Sequence, residues 1–274
     1  MKITLIEPRG FCFGVCRALQ MLDAQVKNKP IVLHEIVHNK KIIQDYEKQG
    51  VQFVESLDNI ATGSNVILSA HGVGKNTEEY AKEHFNVTDT TCPFVARIHR
   101  WVEKLEAQNI PIVLIGKKGH AEIIGTLGRL KNPDKAFVVS DVSDVGLLPN
   151  MQEVGIAMQT TLGVDDTEKI ILALKEKFKT VHLQNGICQA TTERQQAVKL
   201  ATQRHQMILV VGDTKSSNAK RLVEVAKANG AKGVLVEKMA DLKGISFPET
   251  VAITAAASAP ESLVQEVYQY LKSL

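Results

Sequence analysis

The chain has 274 residues, 44% hydrophobic and 23% charged, proportions of a globular protein long enough for one large core or several small ones. Its formal net charge of +3 is too small and too scattered to mark a nucleic-acid binder, although it suits a small anionic ligand. No signal-peptide pattern opens the chain and no stretch approaches a transmembrane span, so a cytoplasmic protein with no membrane partner is expected, its four cysteines serving metal ligation or catalysis rather than disulfides.

The first element is a short apolar strand, Ile3 to Ile6, running into Pro8-Arg9-Gly10-Phe11-Cys12. Apolar residues at Val15, Leu19, Leu22 and Val26 follow at helical spacing. Cys12 therefore stands where a strand gives way to a helix, among free backbone N–H groups at the positive end of a helix dipole, which favour an anionic sulfur. Cys16 lies one helical turn further on and reads as a spare thiol or a fourth ligand.

The pattern recurs. Asp89-Thr90-Thr91-Cys92 is followed by Ile98, Val102 and Leu105, and Asn185-Gly186-Ile187-Cys188 by Val198 and Ala201. Apolar strands Val66-Ile67-Leu68, Ile112-Val113-Leu114-Ile115 and Ile208-Leu209-Val210-Val211 are read as equivalent. They end in Ser69-Ala70-His71-Gly72, Gly116 to Glu122 and Gly212 to Asn218. Val51 to Val54, Ala136 to Val139 and Gly233 to Val236 form a second equivalent set. Continuous apolar strands alternating with helices predict parallel sheets covered on both faces. The reading is an α/β protein of three similar small units, 1–91, 92–187 and 188–274, with the N-terminal strand packing with the third.

Three units arranged about a pseudo-threefold axis would bring Cys12, Cys92 and Cys188 to its centre. Three thiolates hold three irons of a cubane cluster with the fourth open, or make an incomplete zinc site; either leaves a position for a substrate. A single buried cysteine is more often a small hydrophobe, but three at equivalent turns favour a metal. Polar groups at strand exits form a second set: His38, His71, His120, Ser216, Ser217, Asn218 and Ser258, a collection suited to phosphate. Glu122 is placed to move a proton, or else to pair with Lys117 or Lys118, and Thr160 follows the strand Gly155 to Met158, where its hydroxyl can orient a substrate. His84, His99, His182 and His205 read as structural or solvated.

Two motifs are set aside. His34-Glu35-Ile36-Val37-His38 matches the zinc-peptidase letters but continues an apolar strand instead of lying on a helix. Ser69 to Asn76 lacks the first glycine of a P-loop and carries Asn76 at the magnesium-binding position.

Taken together, these stretches resemble the LytB family of 4-hydroxy-3-methylbut-2-enyl diphosphate reductases. The resemblance runs through Pro8 to Cys12, His38-Asn39, Ser69 to Val73, Thr91-Cys92-Pro93, Gly119-His120, Gln159 to Leu162, Asp165-Asp166-Thr167, Ile187 to Thr192, Ser216 to Leu222 and Ala257 to Pro260. It implies a cloverleaf of three α/β units around one [4Fe–4S] cluster held by Cys12, Cys92 and Cys188, with an open fourth iron. It also implies reductive dehydroxylation of an allylic diphosphate to isopentenyl and dimethylallyl diphosphates, the last step of the non-mevalonate isoprenoid pathway. His38, His71, His120, Ser216, Ser217, Asn218 and Ser258 would hold the diphosphate, Thr160 and Glu122 would manage the hydroxyl and its proton, and reduced ferredoxin or flavodoxin would be the electron donor. The family pattern Gly-His-x-Gly-His-Pro-Glu reads Gly116 to Glu122 here, with Lys117 for a histidine and Ala121 for the proline; Ala256 stands for a common glycine. A cluster-dependent dehydratase without redox, and a redox or phosphate sensor without catalysis, are the alternatives.

Overall fold

The structure is a computed structural model that describes residues 1–184 and 186–274. In chain order its strands are β1 (Lys2–Leu5), β2 (Ile31–Leu33), β3 (Gln52–Val54), β4 (Asn65–Leu68), β5 (Asn86–Asp89), β6 (Ile112–Ile115), β7 (Ala136–Val139), β8 (Glu153–Met158), β9 (Thr180–Leu183), β10 (Met207–Val211), β11 (Lys232–Val236) and β12 (Thr250–Ala255). The helices are α1 (Phe13–Asp23), α2 (Lys40–Glu47), α3 (Lys75–His84), α4 (Pro93–Ala107), α5 (Ala121–Leu127), α6 (Val142–Gly146), α7 (Val164–Lys177), α8 (Gln189–Ala201), α9 (Ser217–Ala228) and α10 (Glu261–Lys272). None of the described helices is long and apolar enough to cross a membrane.

The strands form three four-stranded sheets in the orders β1-β12-β10-β11, β3-β2-β4-β5 and β7-β6-β8-β9, and every pairing is parallel. Parallel pairing follows from the sequence because the central strands are apolar on both faces: Val66, Ile67 and Leu68 in β4, and all five residues of β10, are buried. Each sheet has one strand order when its strands are counted along the chain, second-first-third-fourth. In the β10–β12 sheet, the fourth place is taken by β1 from the other end of the chain.

That register corrects one expectation. The strand equivalent to β6 and β10 is β2, and β4 corresponds instead to β8 and β12. β2 and β4 carry apolar runs of the same length, Ile31-Val32-Leu33 and Val66-Ile67-Leu68, so run length does not tell which of them is the counterpart; the order of strand pairing does. The turns after β2, β6 and β10 lead to His38, His120 and Ser216, while those after β4, β8 and β12 lead to His71, Thr160 and Ser258. In all three repeats the cysteine follows the fourth strand: Cys12 after β1, Cys92 after β5, Cys188 after β9.

The chain divides into two compact units. One comprises Met1–Cys16, His38–Lys41 and Cys188–Leu274 and holds the β1-β12-β10-β11 sheet; the other comprises Arg17–Val37 and Ile42–Ile187 and holds the other two sheets. In the first, Ile208 to Val211 and Val251 to Ile253 pack with Leu222 of α9 and with Val264 and Val267 of α10. In the second, one core lies between β6, β8 and α7 around Ile156 and Leu174, another between α4 and the opposite face of the same sheet around Val102, Leu105 and Leu114. A third lies around Leu33, Val66 and Leu68. Removing one of these large side chains costs about 2–5 kcal/mol in such cores.

Candidate active site

Within the two-sheet unit, close backbone approach joins the strand exits. Gly72 has φ of +72°, and a Cβ there would meet the His99 ring at 2.6 Å. Gly125 of α5 sits against the Gly72 carbonyl, where a Cβ would come within 2.9 Å, and Gly74 and Gly128 pack backbone to backbone. These glycines let α5 lie directly on the turn after β4. The His71 and His120 rings consequently stand 6.3 Å apart, nearly perpendicular. The Cys92 N–H donates to the Ala70 carbonyl at 3.0 Å, so the cysteine turn and the His71 turn are pinned together. Cys92 is the N-cap of α4, with Pro93 at the first helical position, where a missing N–H costs nothing.

His120 caps α5: its Nδ1 accepts from the Glu122 N–H at 3.2 Å. An accepting Nδ1 places the proton of the neutral ring on Nε2. Glu122 is 5% exposed, and both of its oxygens are held by Thr160. The Thr160 N–H donates to Oε2 and the Thr160 hydroxyl to Oε1, each at 2.8 Å. Lys117 and Lys118 are exposed, and the Lys117 N–H donates to Gln159 Oε1 at 3.2 Å, so the lysine substituted into this loop is tied to the β8 exit. Glu122 thus has Thr160 as a geometrically defined partner, which engages both of its carboxylate oxygens.

Of the histidines expected to be structural or solvated, His99 is buried. Its ring is buried under Gly72, and burial, reinforced by the Arg129 charge, lowers its pKa to about 4. Arg129 in turn pairs with Glu103 at 2.7 Å and with Glu78. His84 bonds the Tyr80 carbonyl and His182 pairs with Glu153, while in the other unit His205 bridges the Ala201 carbonyl and the Thr4 hydroxyl. Residues 34–38 are not helical, which disposes of the zinc-peptidase motif, and α3 begins only at Lys75.

The other unit gathers His38, Ser216, Ser217, Asn218 and Ser258. The Ser258 hydroxyl donates to the His38 carbonyl at 3.0 Å, and Asn39 Nδ2 donates to the Ser258 carbonyl at 2.9 Å. Asp213 accepts from the Lys40 N–H at 2.9 Å and from the Lys215 N–H at 2.7 Å, binding the His38 segment to the turn before α9. Ser216 caps α9, its Oγ accepting from the Ala219 N–H at 3.2 Å. Asn218, 3% exposed, has both side-chain amide atoms buried without a hydrogen-bond partner. Such a group costs roughly 1–3 kcal/mol unless a ligand satisfies it. Asn39 and Asp213 carry no sequence signal of a role beyond their place beside His38 and Ser216.

Cys12 and Cys188 belong to this unit as well. The Cys12 N–H donates to the Ala257 carbonyl at 3.1 Å, and its own carbonyl accepts from the Cys16 N–H at 2.9 Å, starting α1. Cys188 is the N-cap of α8. Asn185, in the predicted third cysteine turn, lies outside the described residues. None of the four cysteines is in a disulfide. Among the described residues no group of three or more His, Cys, Asp or Glu side chains is by itself closed around a metal position. The donor chemistry nevertheless suits a thiolate-bound iron–sulfur group: three cysteines repeat at one position of the topology, and a buried arginine, Arg194, lies in the electrostatic field of two of them.

Fold and site define an α/β protein of three like parallel sheets with cysteine-led helices and an imidazole-, hydroxyl- and amide-rich set of strand exits. The chain belongs to the LytB protein family, whose model matches residues 3–272. It is 41% identical over 285 residues to 4-hydroxy-3-methylbut-2-enyl diphosphate reductase of Actinobacillus pleuropneumoniae serotype 5b (strain L20), covering 100% of this chain and 91% of that protein. The protein of the same name from Haemophilus influenzae (strain PittEE) is 41% identical over 283 residues, covering 99% and 90%. The solved structure of the E-1-hydroxy-2-methyl-but-2-enyl-4-diphosphate reductase from Plasmodium falciparum aligns with a TM-score of 0.91 at 35% identity, covering 98% of this chain and 87% of that one. A solved (E)-4-hydroxy-3-methyl-but-2-enyl diphosphate reductase, described as the terminal enzyme of the non-mevalonate pathway, aligns over 100% of both chains with a TM-score of 0.71 at 29% identity.

Proposed function

We propose that the chain reduces 4-hydroxy-3-methylbut-2-enyl diphosphate to isopentenyl and dimethylallyl diphosphates, releasing water and taking up two electrons and two protons. The observation that supports this most directly is the buried Glu122 carboxylate held at both oxygens by Thr160. Such a pair is suited to fix a substrate hydroxyl through Thr160 Oγ1 and, once Glu122 has taken up one of the two protons consumed in the reaction, to pass that proton to the departing oxygen, a role worth typically 10²–10⁴-fold in rate.

Cys12, Cys92 and Cys188 are the residues we assign to one [4Fe–4S] cluster, with the fourth iron open. Bound there, the cluster would supply electrons singly and Lewis-acid polarisation of the substrate oxygen. The protein's own part is distributed over the strand exits. His38, His71, His120, Ser216, Ser217, Asn218 and Ser258 are assigned to the diphosphate, which needs many donors because it carries several charges. Protonated Nε2 of His120 and the orphaned Asn218 amide are suited donors. Electrons would come from a reduced ferredoxin or flavodoxin, since no glycine-rich nicotinamide fingerprint occurs in the sequence. A cytoplasmic location and the three-unit division at 92 and 188 belong to the same reading.

The test is an anaerobic assay of iron-reconstituted protein with reduced methyl viologen. Viologen oxidation that depends on the hydroxymethylbutenyl diphosphate supports the reductase. Conversion without a reductant would mark a dehydratase, and tight binding with no conversion a sensor.

A further inference from the structure

Arg194 stands apart from the residues assigned above. It lies in the second turn of α8, is 3% exposed, and is buried in the unit that contains Cys12 and Cys188. Its Nη2 donates to the Gly10 carbonyl at 2.7 Å, and its Nη1 to the Ala190 carbonyl at 3.0 Å. One of those carbonyls is two residues before Cys12 and the other two residues after Cys188. The guanidinium therefore spans the two cysteine turns. Its Nε is buried without a hydrogen-bond partner, and among the described residues Arg194 makes no ion pair with a carboxylate.

A buried cation of this kind is expensive without a compensating anion, and carbonyl dipoles alone compensate it incompletely. Burial lowers the pKa of Arg194, and the charges opposing that shift are, in order, Cys12, Cys188, Glu193 and Glu7. Glu193 and Glu7 are both exposed, whereas the two sulfurs are half-buried. Guanidinium groups stay protonated in proteins, so the positive charge is permanent.

We infer that Arg194 is a positioning residue and fixed counter-cation for the anionic group held by Cys12 and Cys188, and that it sets that group's affinity for an electron. The inference rests on the cluster assignment made above. A cubane cluster with three thiolate ligands is net anionic, and it becomes more negative by one charge on reduction. A fixed positive charge beside two of its ligands favours the reduced state more than the oxidised one, which raises the reduction potential. Burial is what gives the charge its leverage, because water does not screen it. An enzyme fed by a low-potential protein donor gains from this directly, since the cluster accepts each electron more readily.

The test uses reconstituted full-length protein without substrate, comparing wild type, R194K and R194Q. The readout is the midpoint potential from an EPR-monitored redox titration, with far-UV circular dichroism confirming the fold. R194Q should lower the reduced-to-oxidised ratio at the wild-type midpoint about tenfold, equivalent to 59 mV for one electron. R194K, which keeps the charge but loses the two-pronged hydrogen bond, should stay within about threefold of wild type. If R194Q folds but holds no cluster while R194K holds one, the counter-charge role is again supported. An unchanged potential in R194Q, an equal shift in R194K, or loss of the cluster from both variants would overturn it, because a purely structural clamp gives those results. Wild-type protein that takes up no cluster would overturn the cluster assignment and this inference together, so the two failures are told apart.

Discussion

The Thr160 hydroxyl and the Thr160 backbone N–H grip opposite oxygens of the Glu122 carboxylate, each at 2.8 Å. The two residues come from different elements, α5 and the turn after β8, and both are nearly fully buried. Glu122→Gln keeps the side-chain shape and one acceptor oxygen but removes the transferable proton. Its kcat should fall at least about 100-fold with KM changed little. Thr160→Val leaves the carboxylate and its backbone hydrogen bond, so a smaller loss is expected. Steady-state kinetics on the two reconstituted variants checks the ranking; a Thr160→Val loss exceeding that of Glu122→Gln would reverse the assigned roles.

Asn218 should show stability and function pulling in opposite directions. Its buried amide has no partner in the protein alone, so Asn218→Ala should leave the ligand-free protein as stable as wild type or about 1 kcal/mol more stable. The same change should weaken pyrophosphate binding at least about tenfold. Denaturant unfolding and calorimetric titration measure both. A large destabilisation would mean that Asn218 serves the fold.

Gly72 is required twice over, by its φ of +72° and by the His99 ring 2.6 Å from where a Cβ would be. Gly72→Ala should cost about 2 kcal/mol or more in stability and also reduce activity, because the strain falls between His71 and the Cys92 turn. Gly63, with φ of +82° but open space around it, supplies the comparison: Gly63→Ala should cost about 1 kcal/mol with activity retained.

His99 gives stability a pH dependence of known sign. Its pKa falls from 6.5 to about 4 on folding, so between those values the unfolded chain binds more protons than the folded one. Stability should therefore drop as pH falls from about 6.5 toward 4 and stop changing on this residue's behalf below that. The full effect is on the order of 3 kcal/mol, most of it caused by burial. His99→Gln should flatten this part of the profile in urea denaturation at pH 7, 6 and 5.

Much of this arrangement is legible in the sequence because a parallel strand buried on both faces is a continuous apolar run. β4, β6, β8, β10 and β12 are of that kind, and the polar residues just past them, His71, His120, Thr160, Ser216 and Ser258, inherit their visibility. The edge strands β5 and β9 are harder to see. Asn86-Val87-Thr88-Asp89 and Thr180-Val181-His182-Leu183 are solvated at both ends and bury little, so only the cysteine that follows each one betrays it. β2 and β4 both hold three-residue apolar runs, so the sequence does not tell which is the counterpart of β6 and β10; only the pairing order gives that place to β2. Glu122 could be read equally as a lysine partner, and only tertiary structure brings Thr160 to it. Arg194 left no trace beyond its letter, because a buried arginine on a helix has no periodic signature; its meaning depends on the carbonyls of Gly10 and Ala190.

The most direct measurement is the electron stoichiometry of the reaction: reduced viologen consumed per diphosphate converted, under anaerobic conditions, with products separated and identified. Two electrons per molecule of isopentenyl plus dimethylallyl diphosphate formed, and no conversion when the reductant is omitted, is the result expected. Conversion with no electrons consumed, or bound substrate recovered unchanged in the presence of reductant and an intact cluster, would contradict the reductase.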